Sequence, residues 1–342
     1  MAATSPPPPP PSPSKPFVYL DSPTLHSLLA PETLIPHLRS SLPSLSLSVH
    51  SPPRVSFPLP SSPASSLLLM PSWSTHPSLP YLGVKVVTSF PSAHGVAASY
   101  SLFHSLSGAP LAALDGTALT LLRTSAVSAL AALALARPAP RATLVVLGAG
   151  ALAPYLVAAH RSAHPSIDRV LLWNRSPHKA EALVQRLRAG SGAGAAAVAF
   201  ERAESLDDAV AIGDIVSCAT SSETPLVKGK LLKPGAHLDL VGSFTPSMRE
   251  CDDEALKRGR VFADFEVAME EAGELVGAFE RGVMSRADIA GTLIDLVSSC
   301  RGDAAAVVGR RSDDEITVFK SVGTAVVDIL AAQLAYETYI NS

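Results

Sequence analysis

One junction constrains this chain more than any other part of it. The apolar run Thr143–Leu147 passes directly into Gly148-Ala149-Gly150-Ala151-Leu152-Ala153. Thr143–Leu147 reads as a buried strand, Ala151–Arg161 as a helix and Arg169–Trp173 as a second strand. Strand, glycine turn, helix and strand in that order make one parallel crossover unit. The first glycine permits the tight turn, and the second lets a backbone approach a pyrophosphate. The small Ala153 lets helix and strand pack closely. The helix N-terminus then faces the phosphate charge. Gly148, Ala149, Gly150, Ala151 and Leu152 are therefore candidate dinucleotide contacts. The structural alternative is a small-residue turn in an alanine-rich chain.

The second strand bears on which dinucleotide binds. An acid at its end would bind the ribose hydroxyls of NAD(H), but Trp173 is followed by Asn174-Arg175-Ser176. Arg175 suits a 2′-phosphate, with Asn174 and Ser176 as hydrogen-bonding neighbours, so NADPH is expected over NADH. A solvated arginine at a strand end is the alternative.

The surrounding texture extends the unit. Pro177–Ala189 is a helix capped by Ser176, and Gly190–Gly194 is a turn. Ala195–Phe200, Asp214–Ala219, Ala236–Val241 and Arg260–Ala263 are strands, with helices near Ser205–Ala211 and Asp252–Arg258 between them. Such alternation gives an α/β chain with a parallel sheet covered on both faces. Ser285–Ser299 reads as one longer helix, and Ile316–Phe319 then Gly323–Tyr339 as a closing strand and helix. Upstream, Asp21 starts a helix, Leu82–Thr88 alternates as a strand and Ser107-Gly108 turns a hairpin. Thr120–Ala136 is a buried helix ending at Arg137-Pro138.

Charge is informative through its scarcity. Between positions 41 and 140 the charged residues are Arg54, Lys85, Asp115, Arg123 and Arg137. Arg137 ends a helix, where a cation suits the dipole. Arg54, Lys85 and Arg123 stand alone in apolar or small surroundings, and a buried cation needs an anion. They either converge on an anionic ligand such as a substrate carboxylate, or pair with Asp115, or snorkel to the surface. His160 and His164, four apart, are read as surface-helix residues, with no third ligand for a metal. Cys218 reads as a small core residue. Glu266, Glu270 and Glu271 read as a solvated helix face, with Glu266 near enough to a strand end to reach a cleft.

Composition sets limits on the rest. The net charge of -3 argues against nucleic-acid and membrane-surface partners. Ala142–Ala159 has no charge over 18 residues, but Gly148, Gly150 and Pro154 interrupt it, so no membrane span is expected. Cys218, Cys251 and Cys300 fit neither a disulfide framework nor a zinc spacing. Twenty of the 30 prolines lie in the first 80 residues. Residues 1–16 carry no large apolar side chain beyond Met1 and are expected to be structureless. They are acid-free and Ser-rich, as a plastid transit peptide is, yet short and with Lys15 as their one base.

Leu111–Ala132 (LAALDGTALTLLRTSAVSALAA), the following VLGAGA, Leu231–Ser243 (LLKPGAHLDLVGS), Arg249-Glu250 and Glu315–Asp328 (EITVFKSVGTAVVD) resemble the ornithine cyclodeaminase/mu-crystallin family. Met248–Ala255 (MRECDDEA) and Glu270–Gly282 (EEAGELVGAFERG) resemble its plant branch, which reduces cyclic ketimines such as piperideine-2-carboxylate to pipecolate and is associated with systemic acquired resistance. The resemblance implies a homodimer with a Rossmann-like NAD(P)-binding domain over 139–315 and an α+β substrate and dimerisation domain from 17–138 and 316–342. It implies that Arg54, Lys85 and Arg123 hold the substrate carboxylate. It also implies that Ser99, Thr124, Thr220, Ser221, Val241 and Ser321 approach the dinucleotide. A plastid location follows from the same branch, with the cytoplasm as alternative. The chain departs from the cyclodeaminases at Val241-Gly242-Ser243, where those enzymes carry an aspartate after the glycine. Reduction of a small cyclic imino acid is thus expected, piperideine-2-carboxylate or its five-membered counterpart pyrroline-2-carboxylate. The alternatives are an NAD-dependent ornithine cyclodeaminase and a non-catalytic NADPH-dependent binding protein.

Overall fold

The structure is a computed structural model that describes residues 16–59, 62–90, 95–190, 198–299 and 308–342. The leader over 1–15, the turn over 191–194, the first residues of the strand read at 195–200, and Cys300 lie outside the described residues.

The proline-rich N-terminal third is folded. After β1 (Val18–Leu20), Asp21 caps α1 (Ser22–Leu28) by accepting the Thr24 N–H. α2 (Pro31–Leu45) carries Pro36 and Pro43 inside it. Each forfeits a backbone donor, and the helix persists because Leu34, Ile35, Leu38 and Leu42 bury its apolar face. Five strands follow: β2 (Val55–Leu59), β3 (Ser62–Trp73), β4 (Tyr81–Phe90), β5 (Gly95–His104) and β6 (Pro110–Asp115). With β1 they form a six-stranded sheet in the order β1-β6-β5-β4-β3-β2, antiparallel except for β1 beside β6.

Strand alternation gives this sheet two unlike faces. The inner face carries Lys85, Tyr100, Leu102 and Leu114, all buried. It packs against α3 (Gly116–Leu135) and the C-terminal helix. α3 begins four residues before the expected Thr120, because Asp115 caps it through the Ala118 N–H. Among the described residues α3 alone is long and apolar enough to cross a membrane, and most of it is buried in the core. The outer face carries Trp73, Leu82, Val84 and Val86 in register, with Tyr19 and Phe57 at its edges. Among the described residues no element covers these side chains, which are half-buried or exposed.

The second half alternates as expected. Its elements run β7 (Ala142–Leu147), α4 (Ala153–Ala163), β8 (Ile167–Trp173), α5 (Pro177–Gly190), β9 (Ala199–Arg202), α6 (Leu206–Ile212), β10 (Ile215–Cys218) and β11 (His237–Leu240). Then come α7 (Asp253–Arg258), β12 (Gly259–Ala263), α8 (Ala268–Glu271), α9 (Gly273–Glu280), α10 (Leu293–Ser299), β13 (Ile316–Lys320) and α11 (Ala325–Asn341). The strands make a seven-stranded, wholly parallel sheet in the order β12-β13-β11-β10-β7-β8-β9. The winding direction reverses between β7 and β10, and the carboxyl ends at such a switch point leave a crevice.

Two expectations need correction. Ile316–Phe319 does not belong with the first sheet: β13 lies between β11 and β12, with every residue buried. Its run of Ile, Val and Phe suits a central parallel strand covered on both sides. Ser285–Ser299 is not one helix. A short turn at Arg286–Asp288 is followed by extended chain and then by α10. The extended stretch borders β12, Ala290 N–H donating to the Val261 carbonyl and Ala263 N–H to that of Gly291. Satisfying that sheet edge outweighs continuing the helix.

Candidate active site

Gly148 turns the chain out of β7 at φ 107°, a region that disfavours side chains. A Cβ there would also meet the Ala219 carbonyl oxygen at 2.5 Å. At Gly150 a Cβ would meet nothing within 4 Å, so the turn faces open space. α4 starts just beyond, with no side-chain cap on its first N–H groups. The crevice here has a volume of about 340 Å³. Its walls are the glycine turn, the end of β8 from Trp173 to Ser176 with Lys179, and the loop from Ala219 to Ser222. None of the residues lining it is acidic, while Arg175 and Lys179 are cationic and exposed.

The site residues expected from sequence distribute unevenly. Gly148, Ala149, Gly150, Arg175, Ser176, Thr220 and Ser221 line the crevice, and Ala151 and Leu152 begin the turn into α4. Asn174 lines it as a brace: its Oδ1 accepts from Ala149 N–H (3.2 Å) and its Nδ2 donates to the Ser176 carbonyl (3.1 Å). Val241 and Ser321 are buried just past the ends of β11 and β13, further along the same sheet edge. Among the described residues the Ser321 hydroxyl has no hydrogen-bond partner. Thr124 is half-buried on α3 and does not line the crevice at Gly148. Ser99 lies apart. The alternation that turns Lys85 and Tyr100 inward turns Ser99 to the uncovered face of the six-stranded sheet, where it is exposed. The open glycine turn, the uncapped helix start, the two cations and the orphaned Ser321 hydroxyl fit a bound phosphorylated dinucleotide.

The three isolated cations converge at the join between the two sheets. Lys85 Nζ lies 2.7 Å and Arg123 Nε 2.9 Å from opposite oxygens of Asp328 on α11. Arg54 Nη2 lies 2.8 Å from Glu271 and donates to the Gly323 carbonyl (3.2 Å). Gly323, at φ 77°, also backs onto the Arg123 guanidinium, which a Cβ would meet at 2.4 Å. Its N–H donates to Asp264. Three cations thus share two carboxylates, leaving one positive charge in that contact set. Burial lowers the Lys85 ammonium to about 8, with Asp328 opposing and Arg123 assisting the shift. Burial would raise the Asp328 carboxyl, but Lys85 and Arg123 outweigh it and hold it below its ordinary value.

This cluster borders a cleft of about 590 Å³. Arg54, Met70, Glu271, Thr292, Gly323 and Thr324 line it. Arg54 faces the cleft, and Lys85 and Arg123 lie behind it, nearly buried. Four residues, Ser321 to Thr324, join the end of β13 to the start of α11, so cleft and dinucleotide edge adjoin.

Several expectations change here. Asp115, the acid nearest in sequence, caps α3 and is not the partner of the cations. Asp328 is the partner, and its signal was present as a lone acid within AVVDILAA. Glu271 is not a solvated residue; it pairs with Arg54 in the cleft, and burial raises its carboxyl despite that arginine. His160 is not on the surface: its Nε2 lies 3.3 Å from buried Asp239, which also accepts from the Ser217 hydroxyl (2.6 Å). Cys218 is buried as read, and burial pushes its thiol up.

A model of the ornithine cyclodeaminase/mu-crystallin family matches residues 22–342. The chain is 50% identical to Protein SAR DEFICIENT 4 of Arabidopsis thaliana over 95% of this chain and 98% of that one. It is 37% identical to a Delta(1)-pyrroline-2-carboxylate reductase of Colwellia psychrerythraea over 79% of this chain and 82% of that one. Among solved structures, the Delta(1)-pyrroline-2-carboxylate reductase of Thermococcus litoralis, in complex with NADH and L-proline, superposes with a TM-score of 0.85 at 28% identity, covering 94% of this chain and 97% of that one. An archaeal alanine dehydrogenase dimer with bound NAD superposes with a TM-score of 0.82 at 25% identity, covering 95% of this chain.

Proposed function

The chain belongs to the ornithine cyclodeaminase/mu-crystallin family, and from that premise we propose that it reduces the C=N bond of a cyclic ketimine carboxylate with a nicotinamide cofactor. The convergence of Arg54, Lys85 and Arg123 beside a cleft that adjoins the dinucleotide crevice carries this reading. A substrate carboxylate neutralises the charge that Asp328 and Glu271 leave unmatched. Arg54 takes it at the cleft wall, while Lys85 and Arg123 supply field from behind. The glycine turn Gly148–Gly150, Arg175 and Thr220 would hold a reduced nicotinamide cofactor, whose chemistry when bound would be hydride donation to the imine carbon. The nitrogen must end protonated, and Glu271, which lines this cleft, is the carboxyl placed to pass a proton to it and return to the carboxylate that pairs with Arg54. Most of the rate then comes from positioning the two reactants.

NADPH is the assigned cofactor, because the crevice carries Arg175 and Lys179 and no lining carboxylate. The preferred substrate in this reading is piperideine-2-carboxylate, giving pipecolate, with pyrroline-2-carboxylate as the smaller ring. The resemblance to the plant branch extends the proposal to systemic acquired resistance and a plastid location, which a fluorescent fusion of the whole chain tests. The position after Gly242 argues against the deaminase: it is Ser243, whose hydroxyl donates to the Met248 carbonyl.

We also assign the chain a homodimer built on the outer face of the six-stranded sheet. Trp73, Leu82, Val84 and Val86 lie together on that face with no described element over them, and a second copy presents the same surface in a two-fold pairing.

The enzymatic reading is tested by following NADPH absorbance with piperideine-2-carboxylate, pyrroline-2-carboxylate and ornithine in turn. Oxidation with either imine supports it. Ammonia release from ornithine supports a cyclodeaminase, and binding without turnover supports a carrier; either result overturns it.

A further inference from the structure

We propose that Glu250 is a positioning residue for the dinucleotide, its buried carboxylate clamping together the loops that follow β10 and β11 and so setting one wall of the crevice. The inference rests on the dinucleotide reading above. Glu250 is fully buried. Its Oε1 accepts from the Thr220 N–H (2.7 Å) and the Thr220 hydroxyl (2.8 Å). Its Oε2 accepts from the Gly242 N–H (2.8 Å) and the Ser243 N–H (3.3 Å). One side chain thus accepts from three backbone donors in the two loops beyond the strand ends, the Gly242 N–H being shared with the Cys218 carbonyl (3.2 Å). The loops touch at that point, since a Cβ on Gly242 would meet the Thr220 carbonyl oxygen at 2.1 Å and its nitrogen at 2.3 Å. The first loop is the crevice wall opposite the glycine turn, and Ala219 is the residue against which Gly148 packs.

The clamp is itself held in place. The Glu250 N–H donates to Glu274 on α9 (2.5 Å), and Glu274 lies 3.5 Å from Lys320 at the end of β13, both buried. The Glu250 carbonyl accepts from Leu226 and Val227. The ionisable groups facing the carboxyl are Lys320 on β13, Glu274 on α9, Cys218 on β10 and Cys251 beside it; burial raises both thiols, which stay neutral. Burial, with Glu274 adding to it and Lys320 opposing, brings the Glu250 carboxyl to about 7. A protonated Glu250 carries an O–H among four donors and loses part of its accepting capacity. The wall therefore loosens as pH falls through neutrality.

The test is the affinity of the whole protein for NADH, which has no 2′-phosphate titrating in this range, between pH 6 and 8 by fluorescence. In the unaltered protein the Kd rises as pH falls below about 7. Glu250→Gln, folded by circular dichroism, binds NADH about tenfold more weakly at pH 8 and with a flat profile, since the amide offers one acceptor where two were used. Its KM for NADH rises by a similar factor. Glu274→Gln removes a neighbouring negative charge and moves the midpoint of the profile to lower pH. Equal NADH affinity in Glu250→Gln, or coincident pH profiles, overturns the clamp. Absence of any NADH or NADPH binding to the unaltered protein overturns the dinucleotide reading instead. If Glu250→Gln does not fold, the unaltered profile and the Glu274→Gln shift decide the matter.

Discussion

Asp328 lies between two cations, and its removal should be felt twice. Asp328→Asn leaves Lys85 and Arg123 buried without their carboxylate, and breaking such a pair costs about 3–5 kcal/mol. Urea denaturation of the variant should show a loss of that order; a loss near zero would mean that the cations already have another anion. Lys85→Ala should lower kcat/KM for the imine by about 10-fold or more while NADPH still binds, because it removes one of the two buried positive charges behind Arg54. Lys85 also sets a pH limit. Its ammonium titrates at about 8, so it is charged below that pH and neutral above it. Inhibition by pyruvate, a carboxylate with no group titrating nearby, should hold constant to pH 7.5 and weaken several-fold by about pH 9. A flat profile across that range would separate Lys85 from the carboxylate. Isolated charge was the legible signal at this scale, in Arg54, Lys85 and Arg123. Its counterpart, Asp328, was not recognised, because a lone acid more than 200 positions away from Arg123 is found only when α11 packs on α3.

At the scale of elements, the strand-turn-helix around Gly148 was readable because its reasons are local. Periodicity gives β7 and α4, and a positive φ gives the glycine. Gly148→Ala should therefore damage the site directly. It forces a methyl to within 2.5 Å of the Ala219 carbonyl and adds about 1–2 kcal/mol of backbone strain. NADPH affinity should fall at least tenfold in calorimetry, and wild-type affinity would mean that this turn does not approach the phosphates. At the end of β8, Arg175→Ala should weaken NADPH by about 10- to 100-fold and leave NADH unchanged. Elements whose reasons are not local were less legible. The stretch from Ser285 to Ser299 has helical spacing, but the bare edge of β12 holds its middle extended. Ile316–Phe319 was plainly a strand, yet nothing in its own residues assigned it to the parallel sheet.

For the molecule as a whole, the outer face of the six-stranded sheet is the clearest unfinished surface. Val84→Glu places a charge at its centre, opposite Pro71 and Ser101 in register. Light scattering should then report a shift from twice the chain mass to the chain mass. A variant that keeps the mass of the unaltered protein would show that the copies meet elsewhere. By itself the sequence determined the α/β class, the parallel alternation and the glycine turn, because a strand, a cap and a positive φ depend on neighbours a few residues away. It also singled out three cations by their lack of local partners. Only the tertiary structure decided what those cations meet, which way Ser99 faces, where β13 inserts and that Glu250 holds two loops together. Each of these depends on which distant segments share a sheet or a helix interface, and burial charges every unpaired polar group the same penalty wherever its partner lies in the chain.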